Sequence, residues 1–105
     1  MRRETREFLQ RVRAIISDPS HWTQGALARG ADGKSANVTD RATCWCLVGA
    51  FYATAEEGGV DFFFIEEAMF AVSCRLPDSS ISISNYNDTH EHADVIALLD
   101  RAIAS

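Results

Sequence analysis

A run of apolar residues between positions 40 and 57 constrains the fold more than any other part of this chain. Its apolar side chains surround most of a helical circumference: Ala42, Trp45, Cys46, Val48, Gly49, Ala50, Phe51, Tyr52 and Ala53. A helix that is apolar on nearly every side is buried among other elements. The sequence therefore predicts a central helix that starts near Thr39 or Asp40, continues to about residue 57 and ends at Gly58 and Gly59.

Gly49 lies inside this predicted helix, where a glycine costs roughly 1 kcal/mol relative to alanine. A glycine at such a position lets a neighbouring element come close to the helix backbone. We therefore expect another part of the chain to approach Gly49 closely, beside the small side chains of Ala50 and Ala53.

Hydrophobic spacing predicts further helices over residues 3–17, from residue 60 or 61 to residue 74, and over residues 89–104. On the second of these, an inward face is formed by Phe62, Ile65, Met69 and Val72, and Phe63 and Phe70 widen it.

A small β element is expected on either side of the central region. Asp32 and Gly33 favour a hairpin turn between residues 24–29 and 34–38. Residues 81–84 alternate with a period of two, which is typical of a short edge strand. The predicted fold class is mainly α with a minor β part: four helices arranged around the central buried helix, with a small antiparallel β-hairpin.

Length and composition predict a single globular domain over residues 1–105. The net charge is −5 and no basic stripe is present, so we do not expect nucleic acid as a partner. We also expect no membrane as a partner, on the basis of the apolar runs in the chain. No apolar run approaches the ~18 residues of a membrane span, and none follows the charged N-terminus as in a signal peptide. The three cysteines cannot all pair within the chain, which favours free thiols and a cytoplasmic location.

The residue types of nucleophilic catalysis occur in two distant segments. Cys46 falls in the first turns of the predicted central helix, where the helix N-terminus lowers the pKa of a thiol. His92 is the candidate base, and Asn87 or Asp88 would orient its imidazole. Each residue also has a structural interpretation. Cys46 would pack in the core, Asn87 would hold a turn, and Asp88 would cap the last helix in a capping box with Glu91.

Ligand or metal binding is a further possibility that the sequence leaves open. Trp22 fits either a core position with its indole N–H bonded to backbone or a platform on which a ligand stacks. Cys44 and Cys46 with His90 and His92 would supply four zinc ligands. Their spacing does not match the usual zinc motifs, and two histidines two residues apart on a helix point in nearly opposite directions. We therefore predict no metal site and no cofactor.

Three separated motifs of the chain resemble an uncharacterised family of small bacterial and phage proteins. The resemblance spans nearly the whole chain and rests on Trp22-Thr23-Gln24-Gly25-Ala26, on Trp45-Cys46-Leu47-Val48-Gly49-Ala50, and on Asn87-Asp88 followed by His92, Val95, Leu98 and Leu99. It implies no activity, because the family carries only a domain-of-unknown-function label. It singles out Trp22, Cys46, Gly49, Asn87, Asp88 and His92.

These observations favour a small acidic cytoplasmic protein with a non-catalytic accessory or interaction role. Its partner would be another protein, or a second copy of the chain if Phe63 or Phe70 is exposed. The alternative hypothesis is a Cys–His hydrolase or acyltransferase that uses Cys46 and His92. A second alternative is a binder of a metal or a small ligand.

Overall fold

The computed structural model describes the backbone of residues 1–105 and the side chains of residues 1–61 and 63–105. The chain forms five α-helices, one short 3-10 helix over Pro19–His21, and a two-stranded antiparallel sheet in the described residues. The helices are α1 (Arg3–Ile15), α2 (Leu47–Gly58), α3 (Phe62–Ser73), α4 (Ile83–Thr89) and α5 (His92–Ala104), and the strands are β1 (Ala28–Gly30) and β2 (Ala42–Trp45). The predicted class, mainly α with a minor β part, is confirmed. No helix in the described residues is both long enough and apolar enough to cross a bilayer.

Helix α2 lies at the centre of the hydrophobic core, as its apolar circumference predicts. It contacts α1, α3 and α4. Three of its side chains, those of Leu47, Ala50 and Phe51, are fully buried. Fully buried side chains of α1 and α5, among them Leu9 and Leu98, complete the same core. The helix ends at Gly58, and Gly59 follows in the left-handed conformation that closes many helices.

The close approach expected at Gly49 is present, and it comes from the chain just before β1. A Cβ atom at Gly49 would lie 1.9 Å from the carbonyl oxygen of Leu27. That same oxygen accepts a hydrogen bond of 3.1 Å from the backbone N–H of Cys46. The absence of a side chain at Gly49 therefore lets the segment before β1 reach the first turn of α2.

The predicted start of the central helix at Thr39 or Asp40 is wrong. Arg41 adopts a left-handed φ of 64°, which interrupts a helix, and the next four residues form β2. β2 pairs antiparallel with β1, and Cys46 keeps extended backbone before α2 begins at Leu47. Backbone pairing with a distant strand therefore outweighs the helical periodicity of this short segment.

The predicted hairpin is only partly correct. The turn at Asp32 and Gly33 is present, with Gly33 at a φ of +80° and its N–H bonded to the carbonyl oxygen of Gly30 at 2.9 Å. Beyond the turn, Ser35 forms an isolated bridge with Arg29, and two backbone hydrogen bonds join this segment to β1, from the N–H of Gly30 to the carbonyl oxygen of Lys34 at 2.9 Å and from the N–H of Ala36 to that of Ala28 at 3.0 Å. Residues 34–38 nevertheless do not form a continuous strand. The strand that pairs with β1 is β2, so the sheet joins distant segments instead of neighbouring ones.

The edge strand predicted at residues 81–84 is wrong, because these residues lead into α4. Ser82 caps this helix, and its hydroxyl accepts a hydrogen bond of 3.0 Å from the N–H of Asn85. Consequently Asn87 and Asp88 lie within α4 instead of at the start of the last helix. The capping pattern exists three residues later, where the carboxylate of Asp94 accepts a 3.1 Å hydrogen bond from the N–H of Glu91.

One face of α3 differs from its prediction. Ile65 and Val72 are buried as expected, and Met69 is half-buried. Phe62 is also predicted to face inward, but its side chain is not among those that the structure describes. Phe63 and Phe70 do not widen the inward face, because their side chains are 81% and 68% exposed. They lie on the outer side of the helix.

Candidate functional site

Asn87 is the centre of a hydrogen-bond network that joins three parts of the chain. Its side chain is fully buried, and its Oδ1 accepts from the indole Nε1 of Trp22 at 2.6 Å and from the N–H of Leu47 at 3.0 Å. Its Nδ2 donates to the carbonyl oxygen of Thr23 and to Oδ1 of Asp88, both at 3.1 Å. An amide side chain has two donors and one oxygen with two lone pairs, so the bonding capacity of Asn87 is fully used.

Segment 22–25 is fixed against the end of α4 by further hydrogen bonds. Nε2 of Gln24 donates to the carbonyl oxygens of Asn87 and His90, at 3.0 and 2.7 Å. The last carbonyl groups of a helix have no partner within it, so Gln24 supplies donors that α4 itself lacks. Oδ1 of Asp88 accepts from the N–H of Gly25 at 3.0 Å. Asp88 therefore holds a loop, and its predicted capping role is wrong.

Cys46 is the N-cap of α2. Its Sγ accepts a hydrogen bond of 3.3 Å from the N–H of Gly49, and its side chain is 4% exposed. Burial raises the pKa of the Cys46 thiol, and the negative charge of Asp88 acts in the same direction against the helix amides. The amides at the helix N-terminus lower this pKa as expected, but the loss of water around the thiolate outweighs their effect, so the pKa of Cys46 is raised overall.

His92 begins α5 and connects it to the end of α1. Its Nε2 lies 2.6 Å from the carbonyl oxygen of Ile16, so in this hydrogen bond Nε2 is the donor. The imidazole also lies edge-on to the indole of Trp22, with ring centroids 5.6 Å apart. The ring therefore packs between the end of α1 and the segment that carries Trp22.

The structure brings most of the predicted site residues into one region but gives Cys46 and His92 different partners. Trp22 contacts the His92 ring and donates to Asn87, which in turn binds the residue after Cys46. No hydrogen bond joins Cys46 to His92 among the described side chains. The indole N–H of Trp22 is bonded to a side chain, so its predicted backbone acceptor is wrong.

The four residues considered as zinc ligands, Cys44, Cys46, His90 and His92, each contact other parts of the protein. Cys44 lies 3.8 Å from the carbonyl oxygen of Arg29, and the His90 ring stacks on Tyr86 with centroids 3.8 Å apart. Across the side chains that the structure describes, no group of three or more His, Cys, Asp or Glu residues is arranged to hold a metal ion.

Two contributors to the network were missed by sequence reasoning. Gln24 and the backbone N–H of Leu47 both bind atoms of Asn87, although they are more than 35 residues away from it in the sequence. Gln24 lies inside the Trp22-to-Ala26 motif, which is the one indication of its importance that the sequence contains.

The protein is a mainly helical domain. In it the buried side chain of Asn87, on α4, fixes the loop that carries Trp22 and Thr23 to the start of α2. A family model described as "Family of unknown function (DUF6197)" matches residues 1–105. The chain therefore belongs to this family, which confirms the membership of an uncharacterised family inferred from its motifs. Comparisons with curated proteins and with solved structures gave no significant match.

Proposed function

We propose that this protein is a non-catalytic interaction protein and that its partner binds the outer side of α3. We call this surface the α3 face and define it by Phe63, Glu66 and Phe70. Phe63 and Phe70 are seven residues apart, so they lie on the same side of the helix. The observation that carries the proposal is their exposure, 81% and 68%, on a helix whose opposite side is buried.

Exposed aromatic side chains in one place favour a binding role over a solvated surface. The large hydrophobic side chains exposed in the described residues are Met1, Leu27, Phe63 and Phe70, and only the last two share a helix face. Aromatic residues are enriched at the centres of protein interfaces, where they fill pockets of the partner. Burying two phenylalanine side chains contributes about 3 to 6 kcal/mol to association before entropic costs.

The charges around the α3 face favour a basic partner over a second copy of the chain. Glu66 lies between the two phenylalanines and forms no ion pair with the described residues, whereas Glu67 is paired with Arg2. Two copies with a net charge of −5 each would bring like charges together at this face. A partner with an apolar pocket bordered by Lys or Arg matches both the phenylalanines and the free carboxylate.

The use of the candidate catalytic residues in structural contacts supports a role without catalysis. A Cys–His hydrolase or acyltransferase needs an accessible thiolate near its base. Here the thiol is buried with a raised pKa, and the His92 Nε2 is bonded to backbone. All three cysteines are free thiols, which supports a reducing compartment such as the cytoplasm.

Photo-crosslinking tests the α3 face directly. We expect p-benzoylphenylalanine placed at position 63 or 70 to form an adduct with the same partner protein in cells that naturally make this chain. The crosslinked peptide should contain Lys or Arg residues beside apolar ones. The matched control is the same group at position 27, where Leu27 is also exposed. With the purified partner, the double variant Phe63→Ser and Phe70→Ser should weaken binding at least about tenfold, and Leu27→Ser should not.

Three results would contradict this proposal. One is the absence of any adduct from both α3 positions. Another is an adduct formed only with a second copy of the chain, which would assign the surface to self-association. The third is an equally strong adduct to the same partner from position 27, because the contact would then not be specific to the α3 face.

A further inference from the structure

A cavity of about 590 Å³ lies apart from the Asn87 network, between the end of α1, the loop before β2 and the last turn of α2. Its volume falls within the roughly 300–1,000 Å³ that is typical of small-molecule sites. Ile15, Val38 and Trp45 provide an apolar surface, and the indole N–H of Trp45 is bonded to the carbonyl oxygen of Val38 at 2.8 Å. This bond holds the tryptophan and the loop together, so part of the cavity wall is fixed.

Arg41 supplies a positive charge to the cavity from a strained position. Within the described chain it is the one non-glycine residue with a positive φ, a conformation that glycine adopts more easily. Its guanidinium forms no ion pair with the side chains that the structure describes, in which the ion pairs are those of Arg2 and Arg13. The backbone strain at Arg41 is held by the pairing of β2 with β1 directly after it, and the guanidinium has no ion-pair partner among the described residues.

Glu56 and Glu57 supply negative charge from a different element. Both line the cavity from the last turn of α2, where the helix dipole disfavours carboxylates and where α2 has no basic residue. Arg11 of α1 lies beside Gly58, yet neither carboxylate forms an ion pair with a described residue. The cavity therefore combines an unpaired guanidinium, two unpaired carboxylates and an apolar surface.

We propose that this cavity binds a free α-amino acid with an apolar side chain. Arg41 pairs with the ligand carboxylate, because a guanidinium matches the planar geometry of a carboxylate with two N–H donors. Glu56 and Glu57 accept hydrogen bonds from the ammonium group. The apolar side chain lies against Ile15, Val38 and Trp45. Arg41, Glu56 and Glu57 are exposed and therefore hydrated without a ligand, and a ligand with only one of the two charges replaces water at only one of the two walls. This site does not depend on the α3 face.

Calorimetric titration with three related compounds tests the proposal from the ligand side. Phenylalanine carries both charges, 2-phenylethylamine lacks the carboxylate, and 3-phenylpropionate lacks the ammonium group. We expect phenylalanine to bind in the micromolar to low millimolar range, and each of the other two to bind at least about tenfold more weakly. No heat of binding with phenylalanine up to about 10 mM would overturn the proposal. Equal binding of the amine or the acid would also overturn it, because one of the two charged walls would then have no role.

Variants of the cavity test the proposal from the protein side. Arg41→Gly should abolish phenylalanine binding while leaving thermal stability equal or higher, because glycine relieves the left-handed strain. The double variant Glu56→Gln and Glu57→Gln should weaken binding at least about tenfold. Glu66→Gln on α3 is the matched control and should bind normally. Unchanged binding in folded Arg41→Gly, or an equal loss in Glu66→Gln, would overturn the proposal.

Discussion

Replacing Gly49 by Ala is expected to lower the free energy of unfolding by about 3 to 4 kcal/mol. The new Cβ would lie 1.9 Å from the carbonyl oxygen of Leu27, and the backbone on both sides would have to move apart. That movement also breaks the hydrogen bond from the N–H of Cys46 to the same oxygen. Since a domain of this kind has a total stability of about 5–15 kcal/mol, urea or thermal unfolding should show a large shift.

Gly58→Ala is the matched control, because Gly58 ends the same helix. A Cβ at Gly58 would lie 3.2 Å from the guanidinium nitrogens of Arg11, which belong to the far end of a flexible side chain. The variant should be as stable as the original protein or more stable by up to about 1 kcal/mol. A loss at Gly49 no larger than the change at Gly58 would show that the approach of Leu27 does not constrain α2.

Replacing Asn87 by Ala should lower the free energy of unfolding by about 3 to 5 kcal/mol. The change leaves the indole N–H of Trp22, the N–H of Leu47 and the carbonyl oxygen of Thr23 without their present partner. Each buried polar group that loses its hydrogen-bond partner lowers the free energy of unfolding by about 1–3 kcal/mol. The loss of three such partners therefore destabilises the protein more than an ordinary surface substitution does. Equilibrium unfolding in urea measures the effect.

Asn85→Ala provides the control for Asn87, because Asn85 lies on the exposed side of the same short helix. Only its backbone takes part in the described hydrogen bonds, and its replacement should change stability by less than about 0.5 kcal/mol. Similar stabilities for the two variants would contradict the central structural role of Asn87.

Local patterns in the sequence correctly predict the helices whose hydrophobic spacing is not overridden by contacts with distant segments. The first, third and last helices follow from hydrophobic spacing, because each buries one side against the core. The boundaries of the last helix differ by three residues, since His92 begins it after Glu91 has formed the cap. Such shifts are expected wherever two capping sequences follow one another closely.

The errors arise where contacts between distant segments decide the local structure. The apolar pattern of residues 42–45 predicts a helix, but these residues form strand β2 because they pair with β1. The apolar stretch of α3 does not show which phenylalanines face outward, because apolar residues occur on all its sides. Both outcomes depend on what packs against the segment, and the segment's own sequence does not contain that information.

The candidate site shows the same division. Sequence reasoning selected Trp22, Cys46, Asn87, Asp88 and His92, which the structure places in one region. It did not predict how they are connected, because the hydrogen bonds of Asn87 to Trp22 and Leu47 span 65 and 40 residues. Residue types that suit catalysis also suit caps and buried hydrogen bonds, so only the geometry separates the two uses.

The alkylation rate of Cys46 in the native protein tests most directly whether these residues are structural. Iodoacetamide at neutral pH, with mass spectrometry to identify each site, compares buried Cys46 with exposed Cys74 in the same molecule. We expect Cys46 to react more than about tenfold more slowly than Cys74, and at a similar rate once urea unfolds the chain. Reaction of native Cys46 as fast as Cys74, or faster, would reveal an accessible thiolate and contradict the non-catalytic account.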